Sequence, residues 1–278
     1  MKRFFTRGFV ELAGTVGLVA TASSIAQAVR TDQWLWLAAA APWLGLIGYL
    51  AYSKLGNPVR TSRHQWGLHA LSAAGITASA MAGPVALGLA ALGAAVTVFY
   101  THGYSRQHTP DAMVTVGARL PEFPLTALDG QVVSSEVLTH EPHVIMFYRG
   151  NWCPFCMAQV GQLVEQYHEL ERRGVKVAMI SPQRQEDTEE LSHRFNVPME
   201  FYADVDGAAA SMLDILQAGG TPLLYGAGTN GDTVVPTVII TDGTGTVVWV
   251  HHADNHRIRP EPSVFLEVID REGIAVPR

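Results

Sequence analysis

Val144-Ile145-Met146-Phe147-Tyr148-Arg149-Gly150-Asn151-Trp152-Cys153-Pro154-Phe155-Cys156 carries the only two cysteines of this 278-residue chain. The β-branched and aromatic run over 143–148 reads as a buried central strand. Beyond it, Cys156, Val160, Leu163, Val164 and Tyr167 fall at i, i+4, i+7, i+8 and i+11, one apolar helical face, while Gln159, Gln162, Glu165, Gln166 and Glu169 take the other. Arg172-Arg173-Gly174 closes that helix with dipole-favoured cations and a glycine stop. The motif therefore sits where a strand hands over to a helix. A thiol at that point faces unpaired backbone N–H groups and the positive end of the helix dipole, and both favour the thiolate. Cys153 is the expected nucleophile, and Cys156 is placed one turn on to attack a mixed disulfide and release product. Pro154 suits a first turn, where its missing N–H has no intrahelical partner.

Two neighbours complete the candidate site. Arg149, at the end of the strand, can add positive charge beside the sulfur or hold a reactive oxygen; it can equally face solvent or a carboxylate. Trp152 is expected as an exposed aromatic over the rim of the dithiol, or as a packing residue. A metal reading competes: the motif supplies half of a zinc site, and no second Cys-x-x-Cys exists. His251, His252 and His256 are the candidates to complete it, but their spacing does not fit a zinc finger. The reading is no metal and no cofactor.

Outward from the motif, 117–125 alternates and leads to an Asp129-Gly130 turn before a short strand at 131–134. After the helix come a buried strand at 175–180, an exposed helix at 185–195, a short strand at 199–203 and a helix at 208–216. An irregular Gly-rich connection covers 218–232. Strands at 237–241 and 246–251, joined by Asp242-Gly243-Thr244-Gly245, form an antiparallel hairpin, and a helix over 262–271 follows. The class is α/β with a mixed sheet and flanking helices.

The first half is different in kind. Hydrophobic residues make up 48% of the chain and charged residues 16%, and no Asp, Glu, Lys or Arg occurs in 33–53 or 64–105. About 20 helical residues cross a bilayer, so spans are expected near 9–29 and 34–53, and the second uncharged run must fold back at Gly83-Pro84 into spans near 66–82 and 85–101. The first segment also resembles a cleavable signal peptide; its apolar length favours an uncleaved helix. The chain thus divides into an all-α transmembrane region of about four helices (1–104), a linker (105–111) and the α/β domain (112–278). Lys2, Arg3 and Arg7, with Lys54, Arg60 and Arg63, place the domain on the cytoplasmic side of a bacterial-type inner membrane. His64, His69 and His102 gather near that side. A net charge of −6 offers no basic face for nucleic acid.

The stretch 148–156, with the 117–130 segment before it, resembles the peroxiredoxin-like branch of the thioredoxin superfamily, within the alkyl hydroperoxide reductase and thiol-specific antioxidant family. The resemblance covers 112–275. It implies a thioredoxin-like mixed sheet, Cys153 as the peroxidatic or attacking cysteine, Cys156 as the resolving one, and Pro236, after Val235, as a cis-proline facing the dithiol. It further implies a peroxide or disulfide substrate and an external dithiol donor such as a thioredoxin or glutathione system, with the bilayer as the remaining partner. Where peroxiredoxins carry Thr or Ser three residues before the attacking cysteine, this chain has Gly150; where thioredoxins carry a buried Asp, it has Phe147. Three functions stay open: a membrane-anchored peroxidase, a protein disulfide reductase, and a tethered thioredoxin-fold binding module.

Overall fold

A computed structural model describes residues 2–56, 58–108, 113–195, 197–226 and 230–274, with the side chains of 2–6 left aside. The chain divides into two compact units, Met1–Arg106 and Gln107–Arg278. Part of the expected linker, 109–111, lies outside the described residues.

The first unit is helical: α1 (Lys2–Thr31), α2 (Ala41–Leu55), α3 (Trp66–Ser79) and α4 (Pro84–Val98). A 3-10 segment, Trp34–Ala40, leads into α2. Pro42 stands in the first turn of α2, where its ring and missing N–H prevent an α-helix from running through from the N-terminal side. A 3-10 turn, Ala80–Ala82, ends α3, the chain reverses at Gly83-Pro84, and α4 continues into a π-helical segment, Phe99–Tyr104. Among the described residues three stretches are long and apolar enough to cross a membrane: Arg7–Thr31, Trp34–Leu55 and Pro84–Tyr104. The helix at the expected third span is shorter than these. Trp43, Leu46, Tyr49, Phe9 and Tyr100 are buried between the helices, and Trp43 Nε1 donates to the Leu89 carbonyl at 3.0 Å. Gly93 permits that approach, since a Cβ there would lie 2.8 Å from Trp43 Nε1.

The second unit is built on a seven-stranded mixed sheet. Its strands are β1 (Pro124–Ala127), β2 (Val132–Ser134), β3 (His143–Phe147), β4 (Lys176–Ser181), β5 (Glu200–Ala203), β8 (Thr237–Thr241) and β9 (Val247–His252), in the order β2-β1-β5-β4-β3-β8-β9. β3, β4 and β5 run parallel; the others pair antiparallel. Every residue of β3 is buried, as a strand covered on both faces requires. Helices α5 (Pro154–Glu165), α6 (Tyr167–Arg172), α7 (Gln185–Arg194), α8 (Ala208–Met212) and α9 (Pro262–Glu272) complete the unit. One core joins β3, β4 and β8 to α5 and α9; a second lies on the opposite face against α8.

Three local expectations differ. The helix after the motif breaks at Gln166, whose φ −99, ψ 2 lies outside the helical region, separating α5 from α6. Gln159 lies buried rather than on a polar face, its Nε2 donating to the Pro260 carbonyl at 3.0 Å. The helix expected over 208–216 stops at Met212 because Asp214 takes a left-handed conformation, φ 54. Leu216–Gln217 (β6) then pairs with Thr233–Val234 (β7).

Candidate active site

β3 ends at Phe147, and Tyr148 still donates its N–H to the Ile180 carbonyl, so the loop 149–152 starts from a fixed point. Gln183 holds that loop: its Oε1 accepts from the Asn151 N–H at 2.8 Å, and its Nε2 donates to Asn151 Oδ1 and Tyr148 Oη. Gly150 has φ +138, and a Cβ there would meet Trp152 Nε1 at 2.6 Å. This explains why no Thr or Ser stands at that position. Gly150→Thr is expected to lower stability by about 1–3 kcal/mol in denaturant unfolding rather than to raise activity.

Cys153 caps α5, and both cysteines are free and buried, Cys153 at 1% exposure. Burial, the largest influence, pushes the Cys153 thiol up. The hydrogen bond from Cys156, the charges of Arg149 and Arg259, and the Cys156 backbone N–H outweigh it and bring the thiol down to about 5. Cys156 is pushed well above the ordinary thiol range by burial, then by its hydrogen bond to Cys153 and that neighbour's charge. The two sulfurs are therefore unequal: one anionic at neutral pH, the other its hydrogen-bond donor.

Arg149 is buried. Its Nη2 donates to the Gly220 carbonyl at 2.7 Å, its guanidinium carbon lies 4.7 Å from the Trp152 ring centroid, and Nε has no hydrogen-bond partner. It thus faces the loop rather than solvent, and its charge favours the Cys153 thiolate. Trp152 is half-buried rather than exposed, and stacks on Tyr225 with centroids 6.1 Å apart. A cavity of about 410 Å³ opens beside it, lined by Asn151, Gln183, Asp187 and Tyr225 among others. Since a ring stack contributes about 0.5–1.5 kcal/mol, Tyr225→Ala should speed alkylation of Cys153 by roughly 2- to 10-fold, read by mass spectrometry.

Pro236 requires a correction. Among the described residues no peptide bond is cis, so Val235-Pro236 is trans. Val235 N–H donates to the Ile215 carbonyl, and the Pro236 carbonyl accepts from Ala253, so the flanking strands hold the segment in the ordinarily preferred isomer. Pro236 is buried and directly precedes β8, whose Thr237 pairs with Phe147, which places it at the end of the sheet where the motif begins.

The residue missed in the sequence is Arg259. Its Nη2 lies 3.6 Å from Cys156 Sγ, it is 2% exposed, and its Nε and Nη1 have no hydrogen-bond partner. The bond from Gln159 to Pro260 ties its segment to α5. His256 and Arg257 are buried in the same segment, and burial, then the Arg149, Arg259 and Arg257 charges, push His256 well below the ordinary imidazole range, keeping it neutral. The only sequence signal was a pair of arginines after a strand, a pattern more often solvated. His251 stacks on Trp249 and His252 Nδ1 meets Thr237 Oγ1 at 2.9 Å, and among the described residues no group of three His, Cys, Asp or Glu converges on a metal position.

Residues 116–250 match the AhpC/TSA family. Over those residues the second unit is similar to that family, and its mixed sheet with flanking helices is thioredoxin-like. Over 119 residues the chain is 27% identical to probable nucleoredoxin 1 of Arabidopsis thaliana, covering 42% of this chain and 20% of that protein; the chain thus spans about a fifth of the relative's length. Among solved structures it is similar to Mycobacterium tuberculosis AhpC (16% identity, 58% of this chain and 93% of that one, TM-score 0.47). It is also similar to reduced Prx3 from Vibrio vulnificus (17%, 56% and 99%, TM-score 0.48).

Proposed function

We propose that the chain is a membrane-anchored thiol peroxidase working through a Cys153/Cys156 dithiol–disulfide cycle. The observation that carries this is the inequality of the two sulfurs: Cys153 drawn down to about 5 and Cys156 pushed up. The Cys153 thiolate attacks the hydroxyl oxygen of a hydroperoxide. The S–O bond forms, the O–O bond breaks, and the departing alkoxide takes a proton and leaves as alcohol, or as water from hydrogen peroxide. The unpartnered donors of Arg149 and Arg259 suit oxygen atoms beside the sulfur. Once Cys153 is a neutral sulfenic acid, its charge no longer holds Cys156 up, and the Arg259 charge then favours the Cys156 thiolate. Cys156 attacks, the S–S bond forms, and the sulfenic oxygen leaves as water. An external dithiol reduces the disulfide and is itself oxidised.

Three apolar helices of crossing length support anchoring, as do Leu18, Val19, Leu92 and Val98, exposed on the helical unit. Gly150, in place of a hydroxyl-bearing residue, favours a second reading, a protein disulfide reductase. The variant Cys156→Ser separates them: a sulfenic acid trapped on Cys153 after peroxide supports the peroxidase, and disulfide-linked protein partners without peroxide support the reductase.

A further inference from the structure

The helical unit brings together histidines that the redox cycle does not use. His69, in the first turn of α3, and His102, in the π-helical segment after α4, place their Nε2 atoms 3.2 Å apart, with ring planes 17° from parallel. Thr101 Oγ1 lies 3.4 Å from His69 Nε2, and the His64 ring centroid is 5.7 Å from that of His102. π-Helical turns are rare and concentrate at functional positions, and this one carries His102.

We propose that His69 and His102 form a two-imidazole clamp for a divalent transition metal, zinc being the best fit, with water in the remaining positions. Imidazole suits Zn²⁺, Cu²⁺ and Ni²⁺. Two zinc–nitrogen bonds of about 2.0–2.1 Å at the tetrahedral angle set their nitrogens about 3.3–3.4 Å apart, close to the 3.2 Å found. Two axial ligands on opposite sides of a haem iron would stand roughly 4 Å apart with bonds of that length, so the pair is too close to hold a haem between its rings. Without metal, one Nε2 donates a hydrogen bond to the other.

The test uses the untagged full-length chain in detergent, stripped with a chelator and titrated with zinc chloride against a chromophoric competitor. The expectation is one zinc per chain. Because losing even an outer-shell partner costs about 10- to 100-fold in affinity, His69→Ala and His102→Ala should each weaken binding at least tenfold, with His251→Ala unchanged. X-ray absorption of the zinc-loaded wild type should show at least two imidazole nitrogens, which keeps the test valid if a variant fails to fold. Equal binding by wild type and both variants, no stoichiometric zinc, or a shell dominated by sulfur would overturn the clamp.

Discussion

Cys153→Ser is expected to abolish peroxide turnover, lowering kcat by at least about a thousandfold, because removing a nucleophile costs more than removing any group that assists it. Cys156→Ser should behave differently. With the nucleophile intact, one equivalent of peroxide is consumed rapidly, and multiple turnover then fails because no resolving thiol closes the cycle. Stopped-flow single-turnover measurements beside steady-state assays distinguish the two, and equal first-turnover loss in both variants would contradict the roles assigned here. Between pH 7 and 9 wild-type alkylation of Cys153 should be nearly flat. Below about pH 5 it should fall roughly tenfold per unit as the thiolate takes up its proton.

Arg259→Met carries the second large effect, and the pH at which it is read decides its size. A cation within a few ångströms moves an acid by about 1–3 units, so its removal should shift the Cys153 profile upward by about that much. At pH 7 a thiol near 5 is almost wholly ionised, and a shift of 2 units costs only about half the thiolate. At pH 5.5 the same shift costs about 20-fold. Alkylation or peroxide reduction measured across pH 4–9 should therefore show a displaced midpoint. A lower plateau without displacement would mean that Arg259 only packs against the sulfur. Arg259→Lys should restore part of the shift, since it keeps the charge without the planar donor fork.

These variants also mark what sequence could and could not reveal. The run 143–148, the helical spacing after Cys156 and the turn at Asp242-Gly243-Thr244-Gly245 each encode local structure. They led to β3 and the β8–β9 hairpin close to their observed limits, and to a helix that starts as expected at the motif but breaks at Gln166 into α5 and α6. Arg149 was visible because it neighbours the motif. Arg259 was not: it reaches Cys156 across 103 residues, through the return of β9 and the bond from Gln159 to Pro260, and nothing local distinguishes it from a solvated arginine. Backbone state was equally hidden. The φ of +138 at Gly150 and the trans Val235-Pro236 bond depend on the packing of Trp152 and on the β6–β7 connection. His69 and His102 were legible as neighbours of one membrane face, but their 3.2 Å contact depends on the π-helical turn.

Burial of the nucleophile makes one experiment decisive, because Cys153 is only 1% exposed. The fully reduced chain is treated with one equivalent of hydrogen peroxide at pH 7, and its free thiols and peptide linkages are followed by mass spectrometry. The account predicts that both thiols disappear together into a single Cys153–Cys156 disulfide within one turnover. Two thiols still titratable after the peroxide has been offered, or an oxygen first found on Cys156, would contradict it.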